Sequence, residues 1–150
     1  MRMEGDAAHK ILIVDDNADT ILILSGLLEV EGCGVMIAVD GLQAIHRAER
    51  EQPALILLDL TLPKRSGLEV CRTLKENPKT KEIPILILTA KSDPLTRQKA
   101  ETVGADEYLT KPFNPGELIQ KIKGYLLLKE SRTLEIGSIG TPGVLNQSEE

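Results

Sequence analysis

Three short aliphatic runs constrain the fold of this chain more than any other feature. Each run is continuous instead of alternating with polar residues, and each is bounded by polar residues or proline; the runs cover residues 11–14, 55–58 and 85–88. Strands that are buried on both faces have this pattern, and such burial is typical of parallel sheets. Weaker strands are predicted at residues 34–39 and 105–109.

Helices are predicted between and after these strands. Apolar residues recur at helical spacing in four segments, which cover residues 18–31, 41–51, 66–76 and 115–129, and a short polar helix is predicted over residues 94–103. Either Asn17 or Asp19 is a candidate N-cap of the first helix. Alternating strands and helices predict right-handed crossovers and a parallel sheet. We therefore predict an α/β fold of the flavodoxin-like class, with a doubly wound five-stranded parallel sheet in the order 2-1-3-4-5 and helices on both faces.

The composition of the chain changes near its C-terminus. Residues 131–150 contain three Gly, one Pro and three Ser, and they have no sustained hydrophobic periodicity. We therefore predict an N-terminal extension over residues 1–9, one domain over residues 10–129 and a flexible tail over residues 130–150. No output module is expected in the tail, although the chain could be one piece of a larger protein.

Composition and charge argue against several classes of function. Aromatic residues make up 2% of the chain, so a site that stacks a flavin is poorly supplied. The net charge of -5 argues against direct binding to nucleic acid. No apolar run approaches the ~20 residues of a membrane span, and no signal peptide is expected. Cys33 and Cys71 lack metal-type spacing and predict buried, reduced thiols in a cytoplasmic protein, while His9 and His46 are isolated.

The polar residues with chemical potential stand at the carboxyl ends of the predicted strands. Asp15 and Asp16 end the first strand, Asp59 the third, Thr89 the fourth and Lys111 the fifth. In a parallel sheet these ends share one edge, where ligands bind. Any single Asp here could simply cap the next helix, but the combination argues against that interpretation for the whole set.

This residue set suits a phosphoryl group that is held together with a cation. Clustered carboxylates repel one another, and oxygen-only ligands in a half-open site favour Mg²⁺. Mg²⁺ and Lys111 would neutralise a phosphoryl group in transfer, while Thr89 would donate a hydrogen bond to it. A carboxylate is also a competent nucleophile for forming an acyl phosphate.

Several short motifs follow one another in a fixed order over residues 10–129. They are ILIVDDN at 11–17, Asp40-Gly41 with Ala44, LDLTLP at 58–63 with Gly67, LTA at 88–90 and KPF at 111–113. In this order and spacing the chain resembles the receiver domains of two-component response regulators, including the chemotaxis-regulator type. It departs mildly at Leu62, where the family often has the near-isosteric Met.

The resemblance implies a metal site around one acceptor. Asp59 would be the phosphoacceptor. Mg²⁺ would be bound by Asp16, by Asp59 and by the backbone carbonyl of Thr61, while Asp15 would act through a bound water.

The resemblance also implies a switch beside the acceptor. Thr89 would hold a phosphoryl oxygen, Lys111 would pair with it, and the small Ala90 would leave the acceptor open. Tyr108 matches the aromatic switch position and would rotate inward as Thr89 moves; packing at the sheet edge is its alternative role. The peptide bond before Pro112 is expected to be cis.

The implied function is that of a phosphoacceptor in a His-Asp phosphorelay. The chain would assist its own phosphorylation and dephosphorylation but would not be an enzyme otherwise. The donor would be a histidine kinase or a histidine phosphotransfer domain that docks on the first helix, where those of Ile21, Leu22 and Ile23 that are not part of the core would supply apolar surface; acetyl phosphate is a further candidate. The signal would reach a protein partner or a homodimer through the fourth helix, fifth strand and fifth helix, without direct contact to nucleic acid or membrane. The charged residues of that surface are Arg97, Lys99, Asp106, Glu107, Lys121 and Lys123.

Three alternatives remain at this point. The chain could be a receiver-like interaction module that works without phosphorylation. A Mg²⁺-dependent phosphatase of the haloacid dehalogenase type would need its second acid two residues after Asp15, where Asn17 stands, and a cap insertion. A flavin carrier would need a Ser/Thr-rich phosphate loop and stacking aromatic residues.

Overall fold

Five parallel strands form one sheet in the order β2-β1-β3-β4-β5, which confirms the predicted topology. The computed structural model describes the backbone of residues 9–139 and the side chains of residues 9–128. The strands are β1 (Lys10–Val14), β2 (Gly34–Ala38), β3 (Leu55–Leu58), β4 (Ile85–Thr89) and β5 (Glu107–Thr110). The helices are α1 (Ala18–Val30), α2 (Gly41–Glu51), α3 (Gly67–Glu76), α4 (Pro94–Thr102) and α5 (Pro115–Ile139).

Helices cover both faces of the sheet and divide the core into two layers. On one face α1 and α5 pack against the strands through buried side chains such as Leu24, Leu28 and Ile122. On the other face α2, α3 and α4 do so through Ala44, Leu74 and similar residues. The three central strands are buried along almost their whole length, as the continuous aliphatic runs predict. Each buried Leu or Ile stabilises the fold by roughly 1.5–3 kcal/mol, so these strands anchor the domain.

Side-chain caps start the helices at the carboxyl edge of the sheet. In each case a side-chain oxygen of the residue before the helix accepts a hydrogen bond from a backbone N–H in the first turn; the caps are Asn17, Asp40, Ser66, Asp93 and Asn114. Such caps satisfy N–H groups that lack a partner within the helix. Of the two candidates for α1, the cap is therefore Asn17.

Some predicted boundaries were wrong. Helix α5 continues to Ile139 instead of ending at Lys129; residues 130–136 contain neither Gly nor Pro, and the helix ends two residues after Gly137. Strand β5 begins two residues late because the N–H of Ala105 still bonds to the carbonyl of Ala100 at the end of α4. The division into extension, domain and tail stays a prediction, because residues 1–8 and 140–150 lie outside the described residues.

The structure also bears on cysteines and membrane contact. Cys71 is buried, as predicted, whereas Cys33 is partly exposed because it lies in the turn before β2. Within residues 9–139, no helix is both long enough and apolar enough to cross a membrane.

The first prediction concerns the Cys71 thiol. Burial raises the pKa of Cys71 to about 11. Because the thiolate is the reactive form, only about one molecule in 10³ would react readily at pH 8. In a Cys33→Ser variant, we expect iodoacetamide at pH 8 to label Cys71 far more slowly in the native protein than after addition of denaturant. Equal rates, measured by intact mass, would contradict the packing of α3 against the sheet.

Candidate functional site

Three Asp side chains meet at the carboxyl edge of the sheet. Asp15 and Asp16 follow β1, Asp59 follows β3, and these two strands are neighbours. One carboxylate oxygen from each residue lies within 4.8 Å of the other two. Asp15 and Asp59 are only 2% and 7% exposed, whereas Asp16 is open to solvent. The structure therefore brings together the three acids that the strand order predicts.

The backbone of the sheet fixes two of these acids. The N–H of Asp15 donates to the carbonyl of Ala38 at 3.1 Å, and the N–H of Asp59 donates to the carbonyl of Val14 at 2.9 Å. Both bonds extend the strand pairing by one residue. The two buried carboxylates are thus held by the sheet and not by a loop.

Lys111 supplies a positive charge to the cluster. Its Nζ lies 2.8 Å from Oδ2 of Asp15 and 3.4 Å from Oδ2 of Asp59. Its backbone N–H donates to the carbonyl of Thr89 at 2.8 Å, and the Lys111–Pro112 peptide is cis, as expected. Partial burial favours the neutral amine, but the hydrogen bond to Asp15 and the charge of Asp59 outweigh it, so the pKa of Lys111 is raised.

The carboxylates differ in how many donors they already have. Asp15 accepts the N–H of Asn17 on one oxygen and Lys111 on the other. Asp59 accepts the N–H of Thr61 at 3.2 Å as well as Lys111. Among the described residues, no hydrogen bond reaches Asp16. Its oxygens are therefore the most available to a metal ion, and the oxygen-only, half-open cluster fits a hard divalent cation.

Thr89 and Ala90 complete the edge at the end of β4. Thr89 is buried, and its Oγ1 accepts the N–H of Lys91 at 3.4 Å. Within the described part of the chain, no hydrogen bond joins the Thr89 side chain to the three acids. Ala90, the next residue, is exposed.

Tyr108 is more deeply buried than a half-buried residue at the sheet edge would be. It is 7% exposed and belongs to the core layer that α4 covers. Its hydroxyl donates to the carbonyl of Lys91 at 2.6 Å. The guanidinium carbon of Arg97 lies 5.0 Å from the ring centre, and Nη2 of Arg97 donates to the Tyr108 carbonyl at 3.3 Å. Burial is the main reason why the pKa of Tyr108 is raised, so the phenol remains a donor.

The contacts of Tyr108 with Lys91 and Arg97 were missed by the sequence analysis. Any residue can offer a backbone carbonyl, so a hydrogen bond to one cannot be recognised from the sequence. The contact of a ring on a strand with an arginine on a helix follows no periodic spacing. A motif match places Tyr108 on β5, but it does not indicate which groups hold the ring.

Exposed apolar residues lie on α1 beside the acidic cluster. Leu22 and Ile23 are 72% and 54% exposed, whereas Ile21 is partly buried against the core. Helix α1 begins three residues after Asp15. Two of the three residues predicted to supply apolar surface are therefore accessible.

The charged surface of α4, β5 and α5 is largely paired within the chain. Glu107 lies 3.4 Å from Lys121, and Asp106 lies 3.0 Å from Lys75 on α3. Lys123 lies 2.9 Å from Glu31 at the end of α1. These side chains are therefore engaged before any second molecule binds.

The second prediction concerns repulsion among the acids. Three carboxylates and one ammonium leave two uncompensated negative charges in the metal-free protein. At ~5 Å in water, one like-charge pair costs about 1 kcal/mol. We therefore expect Asp16→Asn to raise the free energy of unfolding by about 1 kcal/mol at low salt, measured by denaturant titration without divalent ions.

This gain should shrink at ~1 M salt, where screening acts over about 3 Å. Asp19→Asn, which neutralises an exposed acid of α1 outside the cluster, serves as the matched control. A gain for Asp16→Asn that is independent of salt would argue against electrostatic repulsion.

Comparisons with known proteins agree with this architecture. Residues 11–123 match the family model of the response regulator receiver domain. The chain is 42% identical over 121 residues to PhoP of Bacillus subtilis (strain 168), the alkaline phosphatase synthesis transcriptional regulatory protein. The match covers 81% of this chain but 50% of PhoP, so the chain spans about half the length of that relative.

Two solved structures extend the comparison. Chemotaxis protein CheY4 of Vibrio cholerae is 32% identical, with a TM-score of 0.74 and coverage of 79% of this chain and 99% of that one. The receiver domain of sensor histidine kinase PA1611 from Pseudomonas aeruginosa PAO1 is 31% identical, with a TM-score of 0.74 and coverage of 79% and 98%. That structure has a magnesium ion coordinated in its active site cleft.

These matches favour neither the phosphatase nor the flavin carrier. They agree with the strand order and with the cluster of three acids at the carboxyl edge. The chain belongs to the response regulator receiver domains, the phosphoacceptor switches of two-component signalling.

Proposed function

We propose that Asp59 is the phosphoacceptor of this receiver and that the chain works in a His-Asp phosphorelay. The observation that carries the proposal is the meeting of Asp15, Asp16 and Asp59 with Lys111 at one sheet edge. Asp59, like Asp15, is held by the backbone of the sheet, and the small Ala90 after β4 would leave Asp59 open to a donor. The carboxylate would then stay fixed while a donor approaches.

The transfer step is a displacement at phosphorus. A carboxylate oxygen of Asp59 forms the new oxygen–phosphorus bond as the phosphorus–nitrogen bond of a phosphohistidine breaks, and the electron pair of that bond stays on the imidazole. Lys111 turns from the Asp59 carboxylate to a phosphoryl oxygen, and the Thr89 hydroxyl donates to another. The burial of Asp59 makes these charged contacts stronger than they would be in water.

The acidic cluster is the proposed Mg²⁺ site. Asp16 and Asp59 would bind the ion through carboxylate oxygens, and Thr61 through its backbone carbonyl. Asp15 would act through a water, in keeping with the donors that already occupy both of its oxygens. Bound Mg²⁺ would offset the charge of the carboxylates and of the phosphoryl oxygens.

Lys91 connects Thr89 at the end of β4 to Tyr108 on β5. Its N–H donates to the Thr89 hydroxyl oxygen, and its carbonyl accepts from the Tyr108 hydroxyl. When Thr89 turns toward the phosphoryl group, the Lys91 N–H loses its acceptor, and the bond that holds Tyr108 is disturbed. A phosphoryl charge of about -1.5 to -2 would thus shift the equilibrium of the Tyr108 ring.

The output surface in this proposal is formed by α4, β5 and α5. It would bind a downstream protein or a second copy of the chain, in a cytoplasmic protein that contacts neither nucleic acid nor membrane directly. Glu107 and Lys121 already pair within the chain, so ion pairs across a homodimer would replace existing ones and add little affinity. The chain would catalyse no reaction beyond its own phosphorylation and dephosphorylation.

The third prediction tests the acceptor. With Mg²⁺ and acetyl phosphate, we expect the intact mass of the wild-type chain to increase by one phosphoryl group, which hydroxylamine removes. Asp59→Asn should show no such adduct, because an amide is not a competent nucleophile, whereas the control Asp19→Asn should be modified normally. An adduct that persists in Asp59→Asn would assign the acceptor elsewhere, and no adduct with any donor, including a phosphorylated histidine domain, would refute the switch.

The fourth prediction tests the docking of a protein donor on α1. Leu22→Asp places a charge on the exposed apolar surface beside the cluster. We expect phosphotransfer from a phosphorylated histidine domain to slow at least tenfold, while the rate with acetyl phosphate is unchanged. Val30→Asp, at the far end of α1 and 84% exposed, is the matched control. Equal rates for the two variants would exclude docking at Leu22.

A further inference from the structure

The loop between β3 and α3 carries Thr61 and is fixed where α3 begins. The N–H of Gly67 donates to the carbonyl of Leu60 at 3.0 Å. Gly67 also lies so close to the carbonyl oxygen of Asp59 that no side chain would fit there. The end of the loop that leads into α3 is therefore set by backbone packing.

The N-terminus of α2 holds the middle of the same loop. The N–H of Gly41 donates to the carbonyl of Pro63 at 3.4 Å. Oδ2 of Asp40 lies 3.4 Å from Nζ of Lys64, while Oδ1 of Asp40 caps α2. A Cβ on Gly41 would lie 2.5 Å from Cβ and 3.0 Å from the carbonyl oxygen of Arg65. We call these five residues the α2 clamp.

Leu62 packs against the core, and the clamp holds the three residues that follow it. Among the described residues, no other hydrogen bond or ion pair joins residues 62–65 to another element. Lys64 has a φ of 70°, a left-handed conformation that a lysine adopts at a cost, so the packing against α2 must hold it there. Thr61 lies two residues before Pro63, and its own N–H bonds to the Asp59 carboxylate.

We infer that the α2 clamp positions the backbone carbonyl of Thr61 and thereby sets the affinity of the acidic cluster for Mg²⁺. The inference rests on the proposed function, in which that carbonyl is a metal ligand. Mg²⁺ requires nearly ideal octahedral geometry at about 2.0–2.1 Å, so a small shift of one ligand weakens binding. A loop that is ordered before the ion arrives also loses less conformational entropy on binding.

The Asp40–Lys64 ion pair and the Gly41–Arg65 contact do not restrain the loop equally. Lys64 is largely exposed, and surface ion pairs are weak, so its pairing with Asp40 serves mainly to guide the loop. Gly41 is buried, and its contact with Arg65 leaves no room for a methyl group. Asp40, Gly41 and Lys64 touch neither the ion nor the phosphoryl group in this scheme, so they are positioning residues.

The fifth prediction uses Gly41→Ala in the full chain. The added methyl group would meet Arg65 and also Cγ2 of Val70, so the loop and the start of α3 that follows it must shift. Loss of an outer contact of a metal ligand typically costs 10–100-fold in affinity. We expect the Kd for Mg²⁺, measured by calorimetry, to rise roughly tenfold. In the metal-free protein, hydrogen exchange at residues 61–65 should accelerate. Gly26→Ala, where a Cβ meets nothing within 4 Å, is the matched control.

The binding of Ca²⁺ distinguishes a positioning role of the clamp from general damage to the metal site. Ca²⁺ accepts irregular coordination, so Gly41→Ala should weaken Ca²⁺ binding much less than Mg²⁺ binding. Equal losses for both ions, or a Kd for Mg²⁺ that matches Gly26→Ala, would overturn the inference. If the wild-type chain itself binds no Mg²⁺, the proposed function fails instead.

A second variant keeps the test valid if Gly41→Ala does not fold. Asp40→Asn retains an oxygen that can cap α2 but removes the ion pair with Lys64. We expect its Kd for Mg²⁺ to rise about twofold at low salt, with the difference from wild type lost at high salt. An unchanged Kd at low salt would refute the role of this pair in the clamp.

Discussion

The parallel pairing of β1 with β3 determines where the chemistry of this domain lies. Val14 pairs with Leu58, so the next residue of each strand, Asp15 and Asp59, leaves the sheet at the same level. The N–H of Asp59 bonds to the Val14 carbonyl and makes this placement a part of the sheet. Because both strands are buried on both faces, a shift in register would expose aliphatic side chains and bury polar ones. The energy of the core thus fixes the distance between two acids.

The clustering of three acids lowers the stability of the domain but creates its proposed metal site. Three carboxylates within 4.8 Å of one another repel, and Lys111 is the cation that pairs with two of them. A domain optimised for stability alone would replace one acid by a neutral residue. The same repulsion favours binding of a divalent cation, because the ion relieves an unfavourable interaction that already exists.

Much of the fold could be predicted from the sequence because burial on both faces leaves a plain pattern. The continuous runs at 11–14, 55–58 and 85–88 gave the central strands, and the position of polar residues after them gave the acids and Lys111. The predicted end of α5 was wrong because the change in composition after residue 130 does not coincide with a helix breaker, and the helix continues past the first glycine there, Gly137.

The contacts between elements could not be predicted in the same way. The fit of Gly41 against Arg65 and the stacking of Arg97 on Tyr108 depend on distances between helices, loops and strands that are far apart in sequence. Backbone carbonyls such as that of Lys91 act regardless of the residue type. A sequence motif therefore identifies groups that react, but not the groups that hold them in place.

The capped helices all begin at the same edge of the sheet, and this has an electrostatic consequence. Every helix that follows a strand of this sheet begins on the side where the acids lie, so its unpaired N–H groups and the positive end of its dipole are on that side. Each N-terminus is equivalent to roughly half a positive charge over its first turn. The scaffold thus offsets part of the negative potential of the cluster without any additional lysine or arginine. An anionic group that approaches this edge is therefore repelled less than the three carboxylates alone would repel it.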